Sequence, residues 1–229
     1  MDHVSSPILE ALVPADRVKL LDRAVPKRLG PGEPLFLAGD ESGRAHILMS
    51  GIVKLTARNA EGQETILCLV RPGELIGEVA GPPGWRQPLD AVAAGRSDVI
   101  GIDARLFVDA LARNAEAAVE LSRLMAQRAR WIGESALERT TSEVPARLAG
   151  RLLHLAELLG RSQQGTVELE LPLAQGDLGR LAGMCRESAC KTLRSFKAAG
   201  ILDYRGRRLR ILRPDHLEAI RCAGRVGQP

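Results

Sequence analysis

The sequence predicts an α+β protein made of an antiparallel β-roll, a long helix and a C-terminal winged helix-turn-helix. Short runs of β-branched and apolar residues, separated by glycine-bearing turns, fill residues 28–103. The stretch that follows, residues 104–140, contains no proline. Near the C-terminus, two helical stretches joined by a glycine-bearing turn precede a basic hairpin. These three observations together predict the fold class.

Residues 1–110 are predicted to form the first domain, a roll of the jelly-roll kind preceded by short helices. Residues 7–24 have the pattern of two short helices, with Pro14 at the first turn of the second, a position that proline favours. Beyond them, many short strands at close spacing indicate an antiparallel roll. The predicted strands are residues 33–37, 45–49, 52–57, 65–70, 91–94 and 99–102.

Residues 111–140 are predicted to form a dimerisation helix and hinge. Gly133 is the only glycine between residues 104 and 140, so one long helix fits this stretch. Apolar residues recur close to a heptad spacing, which favours a homodimer. Because Arg128 and Ser135 interrupt the seam, a helix packed on its own domain stays open as the alternative. The predicted dimer seam is Ala118, Leu121, Met125 and Ile132.

Residues 141–229 are predicted to form a winged helix-turn-helix. An amphipathic helix over residues 144–160 is followed by an alternating strand. Two helices then flank residues 183–185, and a basic turn joins two short strands as a wing. The predicted elements are the strand 166–171, the helices 174–182 and 186–199, and the wing strands 201–204 and 209–212.

Charge divides unevenly along the chain, whose net formal charge is +4. Residues 1–139 hold 17 Lys and Arg against 19 Asp and Glu, whereas residues 140–229 hold 15 against 9. The basic C-terminal part predicts a polyanionic partner, double-stranded DNA. No apolar run reaches the roughly 18 residues of a membrane span, and the N-terminus lacks a basic stretch ahead of an apolar core. We therefore expect a cytoplasmic protein without a membrane partner.

The second helix of the helix-turn-helix opens with side chains that can read bases. Arg186 can donate two hydrogen bonds to guanine, Glu187 can accept from cytosine, and Lys191 lies about one turn further. The alternative is an exposed helix start whose charges pair with their neighbours. Residues expected to contact the DNA backbone are Arg180, Ser188, Arg194, Lys197, Arg205, Arg207 and Arg208.

Catalysis and metal binding are not expected. The histidines fall in no nucleophile motif, and no phosphate-binding P-loop is present. The cysteines form no C-x-x-C pair, which argues against a zinc or iron-sulfur site, and buried reduced thiols are the favoured interpretation. A ligand-binding regulatory module without DNA activity stays open as another function. The cysteines are Cys68, Cys185, Cys190 and Cys222.

Two segments resemble hallmarks of the cyclic AMP receptor protein and fumarate-nitrate regulator family of bacterial transcription factors. They are residues 71–78 (RPGELIGE) and residues 177–188 (DLGRLAGMCRES). The resemblance covers essentially the whole chain and implies a roll like the cyclic-nucleotide-binding domain. It also implies a homodimer on a two-fold symmetric operator, with TGTGA-like half-sites, that recruits or blocks RNA polymerase. By the same resemblance, Arg186, Glu187 and Lys191 are the principal base readers.

The effector pocket departs from that family's cyclic AMP-binding members. An Arg-Ser pair that grips the cyclic phosphate there is replaced by Pro88 and Leu89, and a Thr-Ser pair on the dimer helix by Ile132 and Gly133. A buried phosphodiester needs a charged or strong donor partner, so we expect ordinary cyclic AMP not to bind and no certain cofactor. A divergent cyclic-nucleotide pocket and effector-independent binding stay open. Possible pocket positions are Gly77, Glu78, Arg86, Pro88, Leu89, Ile132 and Gly133.

Overall fold

The computed structural model describes residues 5–41, 43–77, 84–163, 165–171 and 173–224. The chain divides into two compact units, Met1–Trp131 and Ile132–Pro229. The division falls inside one helix, so the division into domains at residues 110 and 140 stays a prediction. No helix in the described ranges is long and apolar enough to cross a membrane.

The first unit is a β-roll of two antiparallel sheets with short helices. One sheet has the strand order β1-β8-β3-β6 and the other β2-β7-β4-β5. All six strands that the sequence predicts are present. The elements are α1 (Pro7–Glu10), α2 (Pro14–Leu21), β1 (Val25–Leu29), β2 (Pro34–Phe36), β3 (Arg44–Ser50), β4 (Val53–Arg58), β5 (Glu64–Val70), β6 (Leu75–Ile76), β7 (Asp90–Ala93), β8 (Ser97–Asp103) and α3 (Ala104–Arg113).

The roll has two apolar cores, one on each side of the first sheet. Side chains such as Leu48 and Val99 face the second sheet and form the inner core with Leu55 and Val70. Their neighbours along the same strands point outward, where the helices cover them; Ile47 belongs to this outer core. This alternation follows from the period of two in a strand, and it fixes the register of β3 against β8.

Asn114 interrupts the long helix expected after residue 104. Its backbone is extended, and its side chain accepts a hydrogen bond from the Val13 N–H at 2.8 Å. The same side chain donates to Asp16 at 2.7 Å. An amide that makes two hydrogen bonds to the N-terminal segment stabilises a break that periodicity alone does not reveal. The single helix is therefore wrong: α3 ends at Arg113 and α4 (Ala115–Thr141) follows.

The face of α4 that packs on the roll differs in part from the predicted seam. Leu121 and Leu124 pack against the outer core, and Trp131 packs against the inner core. The exposed face instead carries Val119, which is 47% exposed. The alternative of packing on its own domain is thus correct for Leu121, whereas Ala118, Met125 and Ile132 are half-buried and stay predicted seam residues.

The second unit is the winged helix-turn-helix that the sequence predicts, with two further elements. A four-stranded sheet has the order β11-β12-β10-β9. The short polar strand β9 and the terminal helix α8 have no clear periodicity, so the sequence does not predict them. The elements are α5 (Val144–Leu159), β9 (Arg161–Gln163), β10 (Thr166–Glu170), α6 (Gln175–Leu181), α7 (Arg186–Ala198), β11 (Leu202–Arg205), β12 (Arg208–Ile211) and α8 (Pro214–Ala223).

Phe107 tests the outer core of the roll, since its side chain is fully buried there. We expect Phe107→Ala to lower the free energy of unfolding by about 3–5 kcal/mol, because the substitution removes apolar contacts and leaves a cavity. The neighbouring Val108 is exposed, and Val108→Ala should change stability by less than about 0.5 kcal/mol. Chemical denaturation measures both variants, and equal losses would contradict this assignment of the core.

Candidate nucleic-acid interface

Two glycines shape the helix-turn-helix. Gly183 has φ +63° in the turn between α6 and α7, a conformation that glycine adopts without strain. Gly179 allows the two helices to approach, because a Cβ there would lie 3.1 Å from the Met184 carbonyl oxygen and 3.3 Å from the Ala189 Cβ. The Met184 N–H also donates to the Gly179 carbonyl at 2.9 Å. The turn therefore holds α7 close against α6.

Helix α7 has a buried face and an exposed face. Ala189, Leu193 and Phe196 are buried, and the Thr192 hydroxyl bonds back to the Ser188 carbonyl. This packing turns the remaining positions outward. An open depression on the exposed face is lined by Arg186, Glu187, Ser188, Cys190, Lys191 and Arg194.

The three predicted base readers share this exposed face. Arg186, Glu187 and Lys191 are all exposed. Within the described part of the chain, none of the three forms an ion pair, so the alternative of charges paired with neighbours receives no support there. The arrangement leaves a guanidinium, a carboxylate and an ammonium free to meet the polar edges of bases.

Several residues predicted to contact the DNA backbone have partners within the protein. Arg180 pairs with Asp177 at 2.9 Å, and Lys197 pairs with Asp203 at 2.6 Å while lying over the Tyr204 ring. The hydrogen bond from Lys197 holds the pKa of Asp203 below its usual range. To bind a phosphate, Lys197 has to share its ammonium with Asp203 or release it.

Among the described residues, the other arginines predicted to contact the backbone form no such ion pairs. Arg194 lies on the exposed face of α7, where its Nε donates to the Cys190 carbonyl. The turn of the wing, at Gly206, has φ +57°, which presents the arginines on either side of it to solvent. These exposed wing residues are Arg205, Arg207 and Arg208.

The expectation of four buried thiols is correct for Cys68 and wrong for the other three. Cys68 is buried, whereas Cys185 and Cys222 are exposed and Cys190 is half-buried. Cys185 is the N-cap of α7, a position that projects toward solvent. Its Sγ lies 3.2 Å from the Ser188 hydroxyl, and hydrogen bonds from the hydroxyl and backbone of Ser188 lower the pKa of the thiol.

The predicted effector positions of the roll differ in exposure and in contacts. Arg86 is exposed, and its guanidinium donates to the Gly39 carbonyl at 2.7 Å. Pro88 is exposed and Leu89 packs against the inner core. Gly77 has φ +81° beside Gln87, and Glu78 lies outside the described residues. On α4, Ile132 is half-buried and Gly133 is exposed.

Two family models match the chain. The cyclic nucleotide-binding domain matches residues 26–114, and the Crp-like helix-turn-helix domain matches residues 146–220. The chain belongs to the cyclic AMP receptor protein and fumarate-nitrate regulator family. As a member of this family, it is a DNA-binding transcription regulator, and the fold class and resemblance predicted from its sequence are confirmed.

Relatives within the family match most of the chain. A CRP-like cAMP-activated global transcriptional regulator of Mycobacterium tuberculosis is 26% identical, over 87% of this chain and 89% of its own. A fumarate and nitrate reduction regulatory protein of Vibrio cholerae is 27% identical, over 86% and 78%. The structure of FixK2 from Bradyrhizobium japonicum has the same fold, with a TM-score of 0.77, 20% identity, and 86% and 96% coverage.

Sequence reasoning missed two arginines beside the turn of the helix-turn-helix. Arg147 on α5 donates to the Ala182 carbonyl. Arg139, near the end of α4, lies against Gly183. Both are distant from the turn in sequence and occur in ordinary helical patterns, so no sequence signal identifies them.

Gly179 tests the close approach of α6 and α7. We expect Gly179→Ala to lower the free energy of unfolding by about 1–3 kcal/mol, because the added methyl group crowds the Met184 carbonyl and Ala189. Gly176 is the matched control on the same helix, since a Cβ there meets nothing within 4 Å. Gly176→Ala should be neutral or stabilise by up to about 1 kcal/mol. Thermal and denaturant unfolding compare the variants, and a neutral Gly179→Ala would contradict the packing argument.

Proposed function

We propose that this protein regulates transcription by reading a two-fold symmetric operator as a homodimer. The observation that carries the proposal is the exposed face of α7, where Arg186, Glu187 and Lys191 have no ion-pair partners within the described ranges. A helix with such a face enters the major groove, where its N-terminal residues meet the base edges. Arg186 would read guanine, Glu187 would accept from cytosine, and Lys191 would reach a base or a phosphate.

Backbone contacts would orient α7 in the groove. Arg194 extends the basic face of the helix, and the exposed wing arginines extend it to a second surface of the same unit. These side chains would contribute salt-dependent affinity that does not depend on sequence. Ser188 is half-buried and engaged with Cys185, so its part in binding phosphate would be smaller.

The exposed surface of α4 supports a homodimer. Val119 and Leu137 are 47% and 60% exposed, on a helix that packs its other side on the roll, so a second helix would cover apolar surface there. Small residues between them, Ala126 and Ala129, are also exposed and would allow a second helix to approach closely. A two-fold pair of recognition helices would read half-sites about 34 Å apart, one turn of DNA.

The roll supports control by something other than ordinary cyclic AMP. Pro88 and Leu89 offer neither a charge nor a side-chain hydrogen bond to a phosphodiester, and Leu89 packs on the inner core. The Arg86 guanidinium is engaged with Gly39. Burying an unpaired phosphate charge is very unfavourable. The Mycobacterium tuberculosis relative is described as cAMP-activated, and we propose that this chain differs from it in that respect.

The same function implies a partner and a location. A regulator bound at an operator acts by recruiting or blocking RNA polymerase, so we propose RNA polymerase as a further partner. Both the DNA and the polymerase of a bacterium are in the cytoplasm, which is therefore the proposed location. Chromatin immunoprecipitation with an epitope-tagged chain checks both, because promoter fragments should be enriched with it.

Selection from a random duplex library tests sequence-specific binding by Arg186. We expect the wild type to enrich a palindromic site, and Arg186→Ala to lose about 1–3 kcal/mol of discrimination at one base position in each half-site. Arg207→Ala, at the wing turn, is the matched control. It should weaken binding to all duplexes and reduce the slope of log K against log salt by about 0.9 per phosphate contact.

Uniform weakening by Arg186→Ala would make Arg186 a backbone contact instead of a base reader. If selection enriches no site at all, the chain would be a ligand-binding module without specific DNA activity.

Titration with cyclic AMP tests the effector proposal. Fluorescence anisotropy with a TGTGA-type palindrome and a scrambled duplex should give dissociation constants that change by less than about twofold when cyclic AMP is added, because a ligand that does not bind shifts no equilibrium. Discrimination that appears only with cyclic AMP would instead establish a divergent cyclic-nucleotide pocket. Isothermal titration of the free protein separates weak binding from no binding.

A further inference from the structure

Arg147 bridges two backbone carbonyls that belong to different parts of the DNA-binding unit. Its Nη1 donates to the Ser142 carbonyl at 2.9 Å, and its Nε donates to the Ala182 carbonyl at 3.3 Å. Ser142 lies in the junction between α4 and α5, and Ala182 caps α6 at the start of the helix-turn-helix turn. One half-buried guanidinium therefore joins the junction to the turn.

Arg139 lies over the next residue of the same turn. A Cβ built on Gly183 would lie 2.7 Å from the Arg139 Nε and 3.2 Å from its Cγ, so the arginine side chain covers the glycine Cα. Burial and the nearby positive charge of Arg147 lower the pKa of Arg139. Two like charges held side by side repel each other, and their placement has to be stabilised by contacts such as the two carbonyls that Arg147 binds.

The end of α4 is fixed to α5 by a separate contact. Arg151, which is 3% exposed, donates to the Glu138 carboxylate. A buried charge pair of this kind loses much stability when one partner is removed. The position of the end of α4 is thus set by Arg151 and Glu138, and the route from that end to the turn runs through Arg139 and Arg147.

We propose that Arg147, with Arg139, is a positioning residue for DNA reading. The pair couples the α4–α5 junction to the turn and so sets the angle at which α7 presents Arg186. The turn leads directly into α7, whose N-cap is Cys185. A bidentate contact to guanine requires two hydrogen bonds with correct lengths and angles at the same time. A small displacement of the turn therefore weakens base reading more than it weakens phosphate contacts. This inference rests on the proposed function, because it concerns the same reading helix.

The experiment compares full-length variants on the duplex enriched by the wild type and on a scrambled duplex. Arg147→Met keeps much of the length of the side chain and removes both donors. We expect its discrimination between the two duplexes to fall about tenfold, with affinity for the scrambled duplex and the salt slope unchanged. Arg147→Lys, which keeps the charge but not the fork of donors, should recover part of the discrimination. Arg139→Ala should also lower the discrimination between the two duplexes, but by less than Arg147→Met does.

Arg221→Met is the control. Arg221 is an arginine of the same unit that pairs with Glu218 on α8, and its removal should leave discrimination at the wild-type level. Thermal unfolding of each variant separates a loss of stability from a loss of positioning, because a purely structural role lowers the unfolding temperature and leaves discrimination by the folded fraction intact.

Three results would overturn the coupling: Arg147→Met with wild-type discrimination, equal weakening on both duplexes, or the same loss in Arg221→Met. If Arg147→Met does not fold, Arg147→Lys and Arg139→Ala decide, and wild-type discrimination in both overturns the proposal. If the wild-type protein enriches no duplex, the proposed function itself is refuted. If the wild type and Arg147→Met discriminate between the duplexes equally well, only the coupling is refuted.

Discussion

The edges of the roll determine how the rest of its unit is arranged. Among the described residues, β6 lies at one end of the first sheet and β5 at one end of the second, so neither has a neighbouring strand on its outer side. Helix α4 supplies a donor to each of them. The Arg128 guanidinium donates to the Leu75 carbonyl of β6, and the Trp131 indole donates to the Leu67 carbonyl of β5 at 2.9 Å. These bonds satisfy buried or half-buried backbone groups that would otherwise be costly.

These two hydrogen bonds determine which face of α4 packs on the roll and which face is exposed to solvent. Arg128 breaks the apolar seam in the sequence, and the structure explains why: position 128 faces the roll, where it also lies 3.9 Å from Glu74. Leu121 and Leu124 follow the same face. On the exposed side of the helix, Val119, Ala126 and Leu137 are apolar and lie among polar residues such as Arg123 and Gln127. This apolar set, on the side away from the sheet edge, is the physical basis of the proposed dimer.

Sequence periodicity predicted the elements whose stability is local or whose two faces differ strongly. The alternation in β3 and the amphipathic pattern of α7 are of this kind, and both were identified within a few residues. The missed strand β1 contains Pro26 and lies at an exposed edge, so its pairing with β8 depends on the partner strand more than on its own residues. Asn114 was missed for a similar reason, since its side chain bonds to a segment about 100 residues away.

The base readers could be proposed from sequence because reading chemistry depends on residue type at a helix start. The positioning role of Arg147 could not be proposed from sequence, because it depends on hydrogen bonds to two backbone carbonyls. Every residue has a backbone carbonyl, so the sequence does not mark which ones an arginine binds. Contacts of a side chain with distant backbone leave no trace in residue type or spacing. Positioning residues of this kind are therefore a class that structure identifies and sequence does not, even where the function itself is evident from the sequence.

The distribution of paired and unpaired charges separates specificity from affinity within one basic surface. Lys197 and Arg180 are held by carboxylates of their own unit, so binding a phosphate there exchanges one ion pair for another and gains little. Arg186, Lys191 and Arg194 form no such pairs within the described ranges. Their interaction with DNA replaces only water and displaces condensed counterions, which is the favourable part of such binding. Arg186 and Lys191 lie on the exposed face of α7 that we propose meets the bases, whereas Arg194 and the wing arginines would add affinity that does not depend on sequence. At Arg180 and Lys197 the internal ion pairs reduce this non-specific attraction, so these two pairs favour selectivity at the expense of total affinity.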